Sequence, residues 1–398
     1  MNLVEPSFDG KVLTIALNGH IDAKNAPEVE KELFAAHDAH PDAPIVLDCS
    51  DLEYISSAGL RVVIRLLKAV ADLSVINVTP EVYEVFDMTG FTMMMDVQKG
   101  YRRVSVEGCP IIGQGAKGVL YRLDPETVCK AYRDPDSLDD INRERELAKA
   151  AFVAGIPTAI SFEVVRVGEG YGSVFELLNA DTMGDLLVRG IWDVERVAQE
   201  MADLLIQMSE TVVDTVLMPS ARVATLNWVG ILEGVLDDES YDALRSLIAA
   251  IPDVPYMVHG DFHMGNVMVQ NGEPLIIDMD TLSHGDSIFD LITAYSTYVG
   301  RGLLDPQNVE KFLGISYEES CRLWDLILRK RLPGAAEEEL RTVEDKVRLM
   351  SAMRLMGRPL RHKDIDPDLA RRTYELYGGI IHELLPRVDS LALGKGNE

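Results

Sequence analysis

The first hundred residues alternate between short apolar runs and stretches with helical periodicity. Strand-like runs begin at Val12, Pro44 and Leu73, and each is short and bounded by turn residues. Apolar positions recur at helical spacing in three stretches, residues 27–34, 60–67 and 80–88. This alternation predicts a small sheet that is covered by helices on one side.

A different pattern begins after residue 104. Residues 112–119 read IGQGAKGV, so that Gly113, Gly115 and Gly118 fit the spacing G-x-G-x-x-G. A dinucleotide-binding fold uses the same spacing between a strand and a helix. Here two strand-like runs and a turn between them follow the glycines, and this order is typical of a hairpin that covers the phosphates of a nucleotide.

Lys130 ends the second of these runs, and a predicted helix over residues 139–154 follows it. Kinases place a lysine at this point of the chain to contact the α- and β-phosphates. Glu144 and Glu146 lie two residues apart on the helix, so that they face different directions and only one can meet the lysine. We expect Glu144 to be that partner, although a lysine at the end of a strand is by itself most often a solvated side chain.

The most specific segment is VHGDFHMGNV at residues 258–267, followed by an apolar run that ends at Asp278. Phosphoryl transfer needs a carboxylate that orients the acceptor hydroxyl and oxygen ligands that hold Mg²⁺. Asp261 is the candidate carboxylate. Asn266, five residues later, and Asp278 are the candidate metal ligands. The predicted cofactors are therefore ATP and Mg²⁺.

This segment resembles the aminoglycoside phosphotransferase and choline kinase families, whose metal aspartate is followed by a second acid, as Asp280 is here. The likeness runs from about residue 110 to 300 and includes Asp286 and Asp290. It implies a bilobal protein-kinase-like fold in which His259 braces the catalytic loop. We interpret His263 as structural and the two later aspartates as acids at the start of a helix.

Residues 52–62 read LEYISSAGLRV and resemble the STAS domain of bacterial anti-sigma factor antagonists. Residues 19–22 and 85–91 also resemble that family, so that this likeness covers residues 1–100. It implies Ser57 as a possible phosphorylation site, with Ser56 in the place of the usual aspartate. The alternative is that Ser56 or Ser57 only caps the helix that follows.

The predicted fold is an α/β two-domain protein. A small STAS-type sheet with helices on one side occupies residues 1–100. A bilobal protein-kinase-like α+β domain follows, with an N-lobe at 105–180 and a helical C-lobe at 181–398 in which the acceptor pocket is expected. A chain of 398 residues is long enough for two or three cores.

Composition and charge narrow the possible partners. The formal net charge of −27 argues against a general nucleic-acid binder and against binding to anionic membranes. No secretion signal or membrane span is visible, and four widely spaced cysteines indicate reduced thiols. We therefore expect a cytoplasmic protein.

A basic stretch stands out within this acidic chain. Its members are Arg341, Lys346, Arg348, Arg354, Arg358, Arg361 and Lys363. We interpret it as the solvated face of a helix, opposite Val343, Val347 and Leu355, in preference to a site for an anionic acceptor or for the acidic N-terminal domain.

Two functions fit these patterns. The first is an ATP- and Mg²⁺-dependent phosphotransferase that acts on a hydroxyl of a small molecule and carries a STAS domain for regulation or partner binding. The alternative is a signalling protein in which the STAS domain binds an anti-sigma-like partner and the kinase-like part phosphorylates a protein, including Ser57 in cis. A pseudokinase is disfavoured because the catalytic positions hold chemically competent residues.

Overall fold

The computed structural model describes residues 2–70, 72–115, 117–178, 180–361 and 366–393, without the side chain of Arg361. Lys363 of the basic stretch therefore lies outside the described residues. The chain forms two compact units. The first comprises Met1–Gly108, Ala131–Pro135 and Val164–Gly172, and the second comprises Cys109–Lys130, Asp136–Glu163 and Ser173–Glu398.

The first unit contains a five-stranded mixed sheet in the order β1-β2-β3-β4-β5. β1 is antiparallel to β2, and the remaining pairs are parallel. The strands are Val4–Phe8 (β1), Leu13–Ile21 (β2), Ile45–Ile55 (β3), Leu73–Val78 (β4) and Asp96–Lys99 (β5). The helices that connect the parallel strands are Ala26–Ala39 (α1), Ser57–Ala69 (α2) and Pro80–Met88 (α3).

One apolar core joins this sheet to its helices. It includes Ile15 and Leu47 from the strands and Leu33, Leu66 and Phe86 from the three helices. The sequence prediction omitted β1 and β5. β1 buries only its first residue and contains a proline, and β5 is four residues long, so that neither shows the alternation by which a strand is recognised.

A second five-stranded sheet has the order β6-β7-β8-β10-β9. Its strands are Ile111–Gln114 (β6), Gly118–Arg122 (β7), Thr127–Tyr132 (β8), Glu163–Val167 (β9) and Gly170–Glu176 (β10), and the helix Leu138–Val153 (α4) lies between β8 and β9 in the sequence. The two strand-like runs that follow the glycines are observed as β7 and β8, which are neighbours in this sheet. The glycines themselves lie in an antiparallel hairpin of β6 and β7, and the sequence analysis did not predict β6 as a strand.

The rest of the chain is mainly helical. Its helices are Met183–Val188 (α5), Val194–Glu210 (α6), Ala221–Val229 (α7), Asp238–Ala249 (α8), Ile288–Tyr295 (α9), Arg301–Leu304 (α10), Gln307–Leu313 (α11), Tyr317–Arg331 (α12), Glu337–Met356 (α13), Arg358–Arg361 (α14) and Pro367–Leu384 (α15). Its short strands are Asp181–Thr182 (β11), Met257–Val258 (β12), Val267–Gln270 (β13), Glu273–Ile276 (β14) and Ser283–His284 (β15).

The helix α9 lies at the centre of this region. All of its residues are buried, which is the mark of a helix surrounded by other elements. It contacts α13 and continues through a π-helical segment, Ser296–Gly300, into α10. The predicted fold class, a small sheet domain followed by a kinase-like domain with a helical end, is confirmed. None of the described helices is both long and apolar enough to cross a membrane.

Candidate active site

The glycine pattern forms the tip of the β6–β7 hairpin. Gly113 pairs with Leu120 across the two strands, and the N–H of Gly115 donates to the carbonyl of Gly118 at 2.9 Å. A Cβ on Gly115 would meet no described atom within 4 Å. The absence of a side chain there leaves open space beside the backbone of the hairpin.

Lys130 on β8 lies between two carboxylates. Its Nζ donates to Oε1 of Glu144 on α4 at 2.8 Å and lies 3.5 Å from Oδ1 of Asp278. Lys130 and Glu144 are largely buried, whereas the Asp278 side chain is 44% exposed. The pair can therefore hold a positive charge at a fixed position beside an accessible carboxylate.

The candidate catalytic loop, called the catalytic loop below, connects β12 to β13 and is held in part by its own side chains. Asn266 donates through Nδ2 to the carbonyl of Asp261 at 2.9 Å. His259 is fully buried, contacts the carbonyl of Ile277 through Nε2 at 3.2 Å and accepts the N–H of Asp261 at Nδ1 at 3.3 Å. The Asp261 carboxylate is left 37% exposed and points to open space rather than to the core.

His263 lies close to the candidate base. Its Nε2 is 4.0 Å from Oδ2 of Asp261, and its Nδ1 accepts the N–H of Gly265 at 3.1 Å. Burial lowers the pKa of His263 to about 4, against the opposing influence of the Asp261 charge. A neutral imidazole at physiological pH can accept the Gly265 N–H, which fits the interpretation of His263 as structural.

Asp290 is an acid at the start of a helix, as the sequence indicated, and it also holds the loop of the candidate site. Although it lies in the first turn of α9, its carboxylate accepts the N–H of His259 at 3.1 Å and the N–H of Gly260 at 2.8 Å. Only 1% of Asp290 is exposed, and burial raises its pKa. It anchors the catalytic loop to the central helix, a role that only the folded chain reveals.

Gly260 and Asp278 have unusual backbone conformations on either side of the site. Gly260 has φ +82°, and a Cβ there would lie 2.8 Å from the carbonyl oxygen of Thr281. Asp278 has φ +65°, in the left-handed region that residues other than glycine rarely adopt. Glycine adopts a positive φ without strain, whereas Asp278 is strained. Strain of this kind is concentrated at functional sites, where the surrounding structure maintains it.

The predicted site residues lie on one cavity of about 570 Å³. Its lining includes all eight, namely Gly113, Gly115, Gly118, Lys130, Glu144, Asp261, Asn266 and Asp278. Apolar side chains form much of the remaining wall, among them Ile112, Leu120, Val128, Phe175, Met268 and Ile277. Asp280 also lines the cavity and pairs with Lys117 of the hairpin. A cavity whose wall combines charged groups with apolar side chains suits a nucleotide, which has phosphates and a base.

The basic stretch does not lie on one solvated face, and this corrects the sequence interpretation for part of it. Arg341 and Arg358 are exposed as expected, but Arg354 is only partly exposed and lines two cavities, one of which Arg358 also lines. Arg354 follows Val343, Val347 and Met350 at helical spacing, which places it on the apolar side of α13. In the sequence, an arginine that shares the spacing of the apolar residues of a helix is a signal of a functional residue.

Comparison with known proteins agrees with this geometry. The profile of the phosphotransferase enzyme family (APH) matches residues 111–324, more than half of the chain. The chain belongs to this family. The STAS domain profile matches residues 4–105, so that this part of the chain is a STAS domain.

Two bacterial relatives match the STAS domain. BtrV of Bordetella bronchiseptica, assigned as an anti-sigma factor antagonist, is 38% identical over 101 residues, which cover 24% of this chain and 85% of the relative. The anti-sigma F factor antagonist of Paenibacillus polymyxa is 28% identical over 102 residues, which cover 24% of this chain and 87% of the relative.

A solved structure shares the fold of the larger part. The ADP-bound aminoglycoside phosphotransferase APH(2'')-Ib aligns over 76% of this chain and 98% of its own, with a TM-score of 0.50 and 14% identity. At that identity the likeness describes the fold alone.

Ser57, the remaining predicted site residue, lies in the STAS domain. It is the first residue of α2 and is exposed. Ser56 is the cap of the same helix, since its Oγ accepts the N–H of Gly59 at 3.4 Å. The serine that caps and the serine that offers an exposed hydroxyl are thus neighbours with different surroundings.

Proposed function

We propose that the second unit transfers the γ-phosphoryl group of ATP to a hydroxyl group of a small molecule. The observation that carries this proposal is that a glycine hairpin, a lysine–glutamate pair, a carboxylate and two oxygen ligands all line one cavity. These are the parts that phosphoryl transfer requires, because its catalysis rests on positioning and on electrostatic stabilisation.

The nucleotide would lie with its base against the apolar wall and its phosphates under the hairpin. Backbone N–H groups near Gly115 would donate to the phosphate oxygens, and Lys130 would neutralise the α- and β-phosphates. Glu144 holds the lysine at 2.8 Å, so that little side-chain entropy remains to be lost on binding. The ADP in the fold relative APH(2'')-Ib supports a nucleotide as the ligand.

The residues present fit a magnesium ion. Mg²⁺ is usually bound by one or two carboxylates together with substrate phosphates. Asn266 and Asp278 line the cavity, and Asp278 lies 3.5 Å from Nζ of Lys130. Among the described residues no group of three or more His, Cys, Asp or Glu side chains could form a closed metal cage. When bound, the ion would neutralise the charge that develops on the β- and γ-phosphates.

Asp261 would orient the acceptor. Its carboxylate can accept a hydrogen bond from the acceptor hydroxyl and then take the proton as the new bond to phosphorus forms. The bonds of the loop to Asp290 and to His259 keep this carboxylate at a fixed position. Positioning of this kind supplies a large part of the rate in phosphoryl transfer.

For the STAS domain we propose a regulatory or partner-binding role, with an anti-sigma-like protein as the partner. The two anti-sigma factor antagonists that match it support this role. The exposed hydroxyl of Ser57 at the N-terminus of α2 favours a second function, phosphorylation of a protein, including Ser57 in cis. A phosphate there would lie at the positive end of the helix dipole.

The test uses the full-length protein with Mg²⁺ and ATP, beside Asp261→Asn and the control Asp203→Asn. Asp203 is exposed on α6 and does not line the cavity. We measure ADP release with a mixture of hydroxyl compounds, and we map phosphopeptides by mass spectrometry. Loss of a general base lowers such rates by roughly 10²- to 10⁴-fold. We expect that loss in Asp261→Asn alone, with binding of the ATP analogue AMP-PNP unchanged in both variants.

The outcomes separate the two functions. Phosphate on Ser57 in the wild type and not in Asp261→Asn favours the signalling function, whereas ADP release without protein phosphate favours a small acceptor. A wild-type rate in Asp261→Asn would remove Asp261 from the mechanism. Failure to bind AMP-PNP with Mg²⁺ would contradict a phosphotransferase altogether.

A further inference from the structure

A smaller cavity of about 200 Å³ adjoins the candidate base. Its walls carry three arginines and three hydroxyl side chains, and its lining is Asp261, Thr293, Ser296, Thr297, Arg301, Arg354, Leu355 and Arg358. We call it the arginine cavity. Asp261 lines this cavity and also the cavity of about 570 Å³ that we propose for ATP, which we call the nucleotide cavity. A molecule in the arginine cavity therefore lies next to the proposed transfer site.

The three arginines of this cavity have no acidic partner at salt-bridge distance within the described part of the chain. Nε of Arg301 is buried and has no hydrogen-bond partner there either. Arg301 lies 4.8 Å from the ring of Phe312, and Arg354 lies 5.6 Å from the ring of Trp228. Aromatic contacts of this kind orient a guanidinium and leave its donors available.

Clustered guanidinium groups are unfavourable without an anion. Burial lowers the pKa of Arg301 and of Arg354, and the charges of Arg358 and Arg354 lower that of Arg301 further. Asp261 is the acid that opposes this effect at both residues. The cluster is also unusual because the chain as a whole carries a net charge of −27. A cluster of arginines beside the candidate base is consistent with a ligand that supplies negative charge.

The arginine cavity shares part of its wall with a second cavity. Arg354 and Thr293 also line a cavity of about 400 Å³ whose wall includes Trp228 and Phe289. Acceptors larger than a few atoms could extend there, with an apolar side against the aromatic rings.

We propose that the acceptor is a small hydroxylated anion whose carboxylate or phosphate group binds Arg301 and Arg354, which directs its hydroxyl to Asp261. This inference rests on the proposed function and names the class of its substrate. In the reaction, the acceptor oxygen forms a bond to the γ-phosphorus. The bond from that phosphorus to the β–γ bridging oxygen breaks, ADP leaves with the electron pair, and the hydroxyl proton passes to the Asp261 carboxylate.

The test measures anion binding directly, apart from turnover. The full-length protein is saturated with Mg²⁺ and AMP-PNP, which fills the nucleotide cavity. It is then titrated in a calorimeter with inorganic phosphate, with malonate and with ethylenediamine as the cationic probe. The variants are Arg354→Met, Arg301→Met and Arg354→Lys. The matched control is Arg341→Met, because Arg341 is exposed and lies on α13, as Arg354 does.

We expect phosphate or malonate to bind and ethylenediamine not to bind. Removal of one charged donor should weaken anion binding roughly 10- to 100-fold in Arg354→Met and in Arg301→Met. Arg354→Lys should retain part of the affinity, because it keeps the charge but loses the planar fork, and Arg341→Met should match the wild type. Binding of phosphate alone would indicate a phosphorylated acceptor, and binding of malonate alone would indicate a hydroxy acid.

Three results would overturn the inference. The first is that neither anion binds to the wild type. The second is that an anion binds and that Arg354→Met and Arg301→Met leave its affinity unchanged. The third is that ethylenediamine binds to the wild type and binds no more tightly to Arg354→Met. In each case normal AMP-PNP binding would leave the proposed phosphotransferase intact. Loss of AMP-PNP binding in the wild type would instead remove the proposed function and this inference together.

Discussion

Two aspartates, one in each unit, each accept two backbone N–H groups, but one lies in an exposed turn and the other in the core. Asp9 accepts the backbone N–H groups of Lys11 and Val12, each at 2.8 Å, in an exposed turn. Asp290 accepts two backbone N–H groups of the catalytic loop, at 3.1 and 2.8 Å, in the core. The hydrogen bonds lower the pKa of Asp9, whereas burial raises the pKa of Asp290. The surroundings of each carboxylate, and not the number of its hydrogen bonds, therefore decide the direction in which its pKa changes.

The same contrast extends to the two cores. Among the described residues of the STAS domain, Asn18 is the buried polar side chain. The second unit buries His259 and Asp290, which hydrogen-bond within the candidate site. Burial of such groups is unfavourable unless each is hydrogen-bonded, and it is tolerated here where it orients the catalytic loop.

The largest difference should come from removing the two aspartates. Asp290→Ala leaves two buried N–H groups without an acceptor, at about 1–3 kcal/mol each, and should abolish most of the phosphotransfer. Asp9→Ala should change little, because water replaces the carboxylate. Urea unfolding followed by tryptophan fluorescence reports the second unit, which contains Trp192, Trp228 and Trp324.

For Asp9→Ala, hydrogen exchange of β2 is the matched measurement in the first unit. Equal losses of stability in the two variants would contradict the assignment of the difference to burial.

Two glycines with positive φ sharpen the comparison. A Cβ on Gly10, at φ +95°, would meet nothing within 4 Å, whereas one on Gly260 would press on the carbonyl of Thr281. Alanine in this conformation is unfavourable by about 1–2 kcal/mol at either position. At Gly260 overpacking adds about 1–3 kcal/mol and shifts the catalytic loop. We expect Gly260→Ala to lose activity and Gly10→Ala to keep it, as ADP release will show.

The pH dependence of the two aspartates should have opposite signs. The folded-state pKa of Asp290 lies above its ordinary value of 3.8, so that its contribution to stability is complete below that value and is lost as the pH rises through the folded pKa. For Asp9 the folded pKa is lowered, and its contribution is lost as the pH falls through it. The measurement is the free energy of unfolding of Asp290→Asn and of Asp9→Asn between pH 3 and 7. The difference from the wild type should change with pH in opposite directions for the two variants.

The smallest effect concerns the two serines of α2. Ser56→Ala removes the helix cap and should lower the stability of the STAS domain by about 1 kcal/mol. Ser57→Ala should leave the stability unchanged, because that side chain is exposed and does not cap the helix. Thermal unfolding of both variants measures this. A larger loss in Ser57→Ala would mean that Ser57 has a structural part.

Much of the fold was accessible from the sequence wherever a pattern is contiguous. The predicted helix over 80–88 is observed as Pro80–Met88, and that over 139–154 as Leu138–Val153. The lobe boundaries near residues 105 and 180 stay predictions, as do the roles of the site residues. Asp290 was assigned to a helix start because its partners lie about thirty residues away, where no local pattern reports them.

The sequence by itself determined the order of the two domains, the glycine hairpin and the residue types of the catalytic loop, because each is encoded within a dozen neighbouring residues. The tertiary structure decided which charges are buried and which meet. The contact of Lys130 with Asp278, the anchor of the loop on Asp290 and the convergence of Arg301 with Arg354 on Asp261 all join distant segments. Packing brings such segments together, and the loss of water around them sets the strength of their charges.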